Sequence, residues 1–159
     1  MRRYLTLLLV VLVVAGTALP VSPPVRAASP LVAIVASTLP ISDISTSLLR
    51  RAFQGEAAEY AAGKRLIPIN HPQNTPARDQ FDLAVLGLKP DAVGRFWVDR
   101  RIRDQPGPPK TVPSIELAQR LVMSLPGAIT YVTPDLVNPK VKALTIDGKS
   151  PGQGGYLLQ

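Results

Sequence analysis

The sequence contains no cysteine and a single histidine, His71, and only 5% of its residues are aromatic. Without cysteine there is no disulfide, no thiol nucleophile, no thiolate metal site and no lipid-modified N-terminal cysteine. One histidine excludes a His-rich metal cluster. Paired carboxylates, a phosphate-cradling Gly-rich loop and any Ser-His-Asp spacing are missing as well. The expected function is therefore non-enzymatic and needs no metal or organic cofactor. Acidic residues are also scarce, 11 against 18 basic ones.

What is present begins with an export signal. "MRR" is a basic start, "YLTLLLVVLVVAGTALPV" is an uncharged apolar run, and "VRA" places Val25 and Ala27 where a signal peptidase prefers small residues. Residues 1–27 read as a signal peptide cleaved near Ala27/Ala28, which puts the chain in the bacterial periplasm or outside the cell. The alternative is an uncleaved membrane anchor, because a run from Tyr4 to Val21 is just long enough to span. Removing Arg2, Arg3 and Arg26 leaves 15 basic residues against 11 acidic ones, a net +4. That balance is too mild for a nucleic-acid binder and suits small anions or acidic surfaces.

Residues 28–159 read as one domain. "LVAIVAS" (31–37), "RLIPI" (65–69), "TV" (111–112), "GAITYV" (127–132) and "VKALTI" (141–146) have the apolar, β-branched character of strands. Helices alternate with them. Ser45 caps "TSLLRRAF", with Leu48, Leu49, Ala52 and Phe53 inward and a stop at Gly55. A second runs from Pro76 to Leu86, and a third from Pro90 to Arg103 carries Val93, Phe96 and Trp97. Ser114 caps "IELAQRLVMSL", with Leu117, Leu121 and Val122 inward. "EAAEYAAGK" is ambiguous between helix and turn, and Pro68 suggests an edge or a bulge. The Gly-rich end, 150–159, reads as a flexible tail on which Tyr156 and Leu157 can dock. Alternation of this kind predicts an α/β domain with a mainly parallel sheet flanked by helices.

One stretch carries candidate chemistry: "HPQNTPARDQF". Thr75 stands at the N-cap of the second helix and Pro76 at its first position, where a missing N–H costs nothing. The N–H groups of Ala77 and Arg78 then lie in an open first turn, favourable for an anion. The Arg78 guanidinium can add a bidentate donor pair, and Asn74 and Thr75 an amide and a hydroxyl. Against this, Arg78 can simply pair with Asp82 one turn on. Ser37 and Thr38, ending the first strand, are candidates for the same crevice, since open α/β sheets bind ligands at strand ends. His71 reads as a solvated loop residue. "GRFWVDRRIR" reads as a solvated basic face rather than a nucleic-acid surface, and "PGPPK" is too short for a polyproline ligand.

Taken in order, "ISDISTSLLRRAFQG", "RLIPINHPQNTPARDQF", "SLPGAITYV" and "VKALTIDGKSPGQGGYLL" resemble the second lobe of bacterial phosphate-transporter substrate-binding proteins, which have the type II periplasmic binding protein fold. The resemblance covers about residues 32–158. In that family a Ser-Gly-Thr-Arg run at a helix start holds phosphate. Its Ser and Arg fall on Thr75 and Arg78, while its Gly and Thr fall on Pro76 and Ala77, so one N–H and one hydroxyl are lost. The resemblance implies a small anion such as phosphate as ligand, and an ABC transporter or a second binding lobe as partner. The alternative is a one-lobe structural or signalling module of the envelope that binds another protein and no small molecule.

Overall fold

The computed structural model describes residues 29–159. The expected signal peptide, 1–27, lies outside them. In chain order the elements are β1 (Val32–Ala36), β2 (Asp43–Ile44), α1 (Thr46–Phe53), β3 (Glu59–Ala61), β4 (Lys64–Arg65), β5 (Ile67–Asn70), α2 (Pro76–Phe81), α3 (Pro90–Ile102), β6 (Lys110–Thr111), α4 (Ile115–Ser124), β7 (Ala128–Val132), β8 (Val141–Ala143) and β9 (Thr145–Ile146). A π-helical turn, Asp82–Leu86, continues α2 and ends at Gly87, whose φ of 70° only glycine adopts freely.

Five strands form the main sheet in the order β6-β5-β7-β1-β8. β5 is parallel to both β6 and β7, whereas β1 is antiparallel to β7 and β8. Four strands thus share one direction and β1 alone opposes them, a mainly parallel α/β sheet flanked by helices. Val32, Ala33, Ile34 and Val35 of β1 are all buried. A strand hidden on both faces has no polar alternation, which is why it reads as an unbroken apolar run. Pro68 lies in β5 between two partners, yet β6 reaches only Ile69 and Asn70. At the level of Pro68 the missing N–H therefore deprives no ladder on that side.

Three aromatic rings anchor the core. Phe81 stacks on Tyr131 with centroids 3.8 Å apart and planes 6° from parallel, and Phe53 packs on Phe81 at 4.5 Å. They bring α1, α2 and β7 together. α4 packs on β7, β1 and β8 through Ala118 and Val122, which are fully buried, while Leu117 and Leu121 are half-buried.

Three expectations change. The run 141–146 is two strands, because Leu144 is fully buried and its N–H bonds Ala33 O at 2.8 Å, after which β9 leaves the sheet to pair in parallel with β2. The ambiguous stretch is the β3–β4 hairpin, turned at Gly63 with φ 68°. The tail is docked rather than loose. Tyr156 and Leu158 are buried, Leu158 O accepts from Leu31 N–H at 2.8 Å, and the Tyr156 hydroxyl donates to Leu144 O at 3.1 Å. Leu157, expected to dock, is only half-buried.

Candidate ligand-binding cleft

The carboxyl ends of β5, β6 and β7 lie at one edge of the sheet, followed by the loop to α2, the start of α4 and Thr133. Between them is an open cleft of about 760 Å³. Its wall is mostly apolar, from Leu31, Pro72, Ala77, Pro113, Ile115 and Val132. The polar side chains on it are Ser29, His71, Thr75, Gln80, Ser114, Glu116 and Thr133, with Tyr131 at its base.

The start of α2 is built as the sequence predicts in outline. Thr75 is extended (φ −108°, ψ 141°), Pro76 is the first helical residue, and the first backbone bond of the helix runs from Asp79 N–H to Thr75 O at 2.9 Å. The N–H groups of Ala77 and Arg78 precede that bond and belong to the open first turn. Thr75 does not cap the helix with its side chain. Its hydroxyl donates instead to Pro72 O at 3.0 Å, which closes the loop behind it.

Arg78 takes the competing arrangement. It is buried, its Nε donates to Asp82 Oδ2 at 2.6 Å, and its Nη1 donates to His71 O at 2.9 Å. Burial pushes the Asp82 carboxyl up from its ordinary value, against the pull of Arg78. The other oxygen, Oδ1, is buried without a partner, and Asp82 borders a small void of about 30 Å³, room for a single water. Asn74, with φ 61°, borders that void and not the cleft.

The expected site residues are thus divided. Thr75 and Ala77 line the cleft, and Asn74 and Arg78 border the small void. Ser37 and Thr38 do not join either. Because β1 runs against β7, Val32 lies across from Val132 near the cleft while Ala36 lies across from Val141, and Ser37 N–H bonds Lys140 O at the far edge. The end of β1 meets the crevice only in a parallel strand, and the antiparallel direction of β1 carries Ser37 and Thr38 away from it.

His71 is not the solvated residue its loop position suggests. It is 4% exposed, with Nε2 at 2.7 Å from Tyr131 O and its N–H on Asn70 Oδ1 at 3.0 Å. Burial lowers its pKa, the hydrogen bond to Tyr131 O opposes the shift, and Arg78 adds to it. A neutral ring facing a carbonyl carries its proton on Nε2, so Nδ1 is a bare acceptor. Asn70 Oδ1 also accepts from the Tyr131 hydroxyl at 2.6 Å, and burial holds that phenol well above its usual pKa. The Glu116 carboxyl is held below its usual value by its own N–H and by the Ser114 hydroxyl. Gln80, Ser114, Glu116 and Thr133 escaped the sequence reading. From sequence Ser114 is a helix cap, and it is one, accepting from Leu117 N–H at 3.2 Å.

No family model and no curated protein sequence matches the chain. Solved structures do. An ABC-type phosphate transport receptor from Vibrio cholerae superposes with a TM-score of 0.63 at 14% identity, over 82% of this chain and 53% of that one. A putative phosphate ABC transporter substrate-binding protein with bound phosphate, from Clostridium perfringens, gives 0.61 at 16% identity, over 77% and 47%. PstS from Borrelia burgdorferi gives 0.55 at 15%, over 77% and 49%. The chain shares their fold and spans about half the length of each.

Proposed function

We propose that this chain is an exported, non-enzymatic solute-binding lobe that captures a small molecule in the cleft between the starts of α2 and α4. The observation that carries the reading is the position of that cleft, at the carboxyl ends of three parallel strands, where open α/β sheets take their ligands. The likeness in fold to phosphate receptors supports it. Phosphate is the first ligand to test: the first-turn N–H of Ala77 is its donor on the cleft wall, and the Thr75 hydroxyl joins it only by leaving Pro72 O. Delivery to an ABC transporter, in the periplasm or at the cell exterior, belongs to the same reading, as does a second lobe that covers the open side of the cleft.

Calorimetric titration of the exported protein with phosphate, sulfate, small carboxylates and small amines tests this directly. Saturable binding that disappears in Ala77→Trp, where the indole fills the cleft, is the expected result. Absence of saturable binding with every solute up to millimolar concentration would sink the reading. A second function, an envelope module that binds another protein, is favoured by one feature: Val98 and Ile102 on α3 are 56% and 78% exposed. Loss of a partner on Val98→Asp, with the cleft empty, would move the function there.

A further inference from the structure

The chemistry of the cleft wall differs from what an oxyanion needs. No lysine or arginine lines it, and its single ionised side chain is the carboxylate of Glu116. The one guanidinium nearby, Arg78, is buried behind the wall and already neutralised by Asp82. A multiply charged anion entering this space would lose its hydration without gaining a counter-charge. The volume argues in the same direction. A cleft of about 760 Å³ is in the range that holds organic molecules rather than a single small ion.

Two of the polar side chains add a further constraint, because their hydrogens are spent. Thr75 uses its hydroxyl hydrogen on Pro72 O, which leaves its lone pairs on offer. His71 uses its Nε2–H on Tyr131 O, which leaves Nδ1 as an acceptor. The Ser114 hydroxyl oxygen accepts from Leu117 N–H at 3.2 Å. Around Thr75 and His71 the wall therefore offers two acceptors and, at Glu116, one negative charge, beside the first-turn N–H of Ala77 and an apolar surround of Leu31, Ile115 and Val132. We propose that the cleft takes a small organic ammonium, a primary amine with an apolar body, in place of an oxyanion. The body lies on Leu31, Ile115 and Val132, and the ammonium donates toward Glu116 and the Thr75 hydroxyl oxygen.

This inference rests on the cleft being a solute site, so the test separates the two. Phenethylamine, benzylamine, benzoate and inorganic phosphate are titrated into the full chain at equal pH and low ionic strength. Both amines are expected to bind, phenethylamine about fourfold tighter for its extra methylene. Benzoate and phosphate are expected to bind more weakly than either. Glu116→Gln, an exposed and conservative change, is expected to weaken the amines about three- to fivefold and to strengthen benzoate. Ala77→Trp is expected to abolish amine binding. If benzoate or phosphate binds more tightly than the amines and Ala77→Trp blocks it, the ammonium assignment is overturned while the solute site stands. Amine binding indifferent to Glu116→Gln also overturns the assignment. If none of the four binds, both the assignment and the solute site fail.

Discussion

Arg78 and Asp82 form a buried ion pair one helical turn apart, Nε to Oδ2 at 2.6 Å, with both side chains at most 3% exposed. Arg78 thereby ties the start of α2 to the π-helical turn, and through His71 O to the loop before it. Breaking such a pair from one side leaves an uncompensated charge in the interior. Asp82→Ala should therefore cost about 3–5 kcal/mol of stability, read from urea denaturation midpoints. The double change Arg78→Met with Asp82→Leu should recover most of that loss, because no charge is left buried. An Asp82→Ala protein as stable as wild type would show that the pair holds nothing.

The three polar residues at helix starts should separate in the same assay. Ser45 and Ser114 accept from Leu48 N–H and Leu117 N–H, each at 3.2 Å, so replacement by alanine should cost about 1 kcal/mol each. Thr75 caps nothing, and its hydroxyl holds only Pro72 O. Thr75→Ala should cost less than either serine change. A cost equal to Ser114→Ala would mean that the Thr75 hydroxyl turns to the helix in solution.

The strands and helices were legible because their signals are local. The apolar run at 32–36, the serine caps and Gly87 each announce themselves within a few residues. The resemblance to one lobe of a phosphate receptor was legible too, through four short segments in order. The direction of β1 was not, since an unbroken apolar run looks alike in parallel and antiparallel ladders, and that direction decides where Ser37 and Thr38 lie. The pairing of Arg78 was readable only as one of two options, because Asp82 at i+4 and an anion at the helix start compete for the same guanidinium. The burial of His71 depends on Thr130 and Tyr131, some sixty residues away in sequence, as well as on its neighbour Asn70, and no local pattern reports it.

Gly127 offers a sharp test of the packing between the β3–β4 hairpin and β7. Its φ is 85°, and a Cβ there would stand 2.4 Å from Arg65 O. Its own carbonyl meanwhile accepts from Ile67 N–H at 2.8 Å, at the start of β5. Gly127→Ala thus meets both an unfavourable backbone and a clash with main chain that cannot rotate away. A loss of about 1–3 kcal/mol is expected from thermal or urea unfolding. Gly94→Ala, in a helix with open space around it, should instead be neutral or stabilising by up to about 1 kcal/mol. Equal effects at the two positions would contradict the packing of Gly127 against Arg65.

The pH dependence of stability should carry the mark of His71. Its pKa is lowered in the folded protein, chiefly by burial, from the ordinary histidine value of about 6.5. Above that value both the folded and the unfolded chain hold the ring neutral, and its contribution is constant. As pH falls below about 6.5 the unfolded chain takes up a proton that the folded chain refuses. Stability therefore falls with falling pH, by at most about 1.4 kcal/mol per pH unit from this group, until the folded-state pKa is passed. Urea midpoints measured from pH 8 to pH 5 should stay flat at the upper end and decline through the lower. His71→Gln keeps a donor for Tyr131 O but cannot titrate, so the decline between pH 6.5 and 5 should be reduced. If that variant loses as much stability over the interval as wild type does, the sensitivity arises elsewhere, and His71 is not held neutral by the fold.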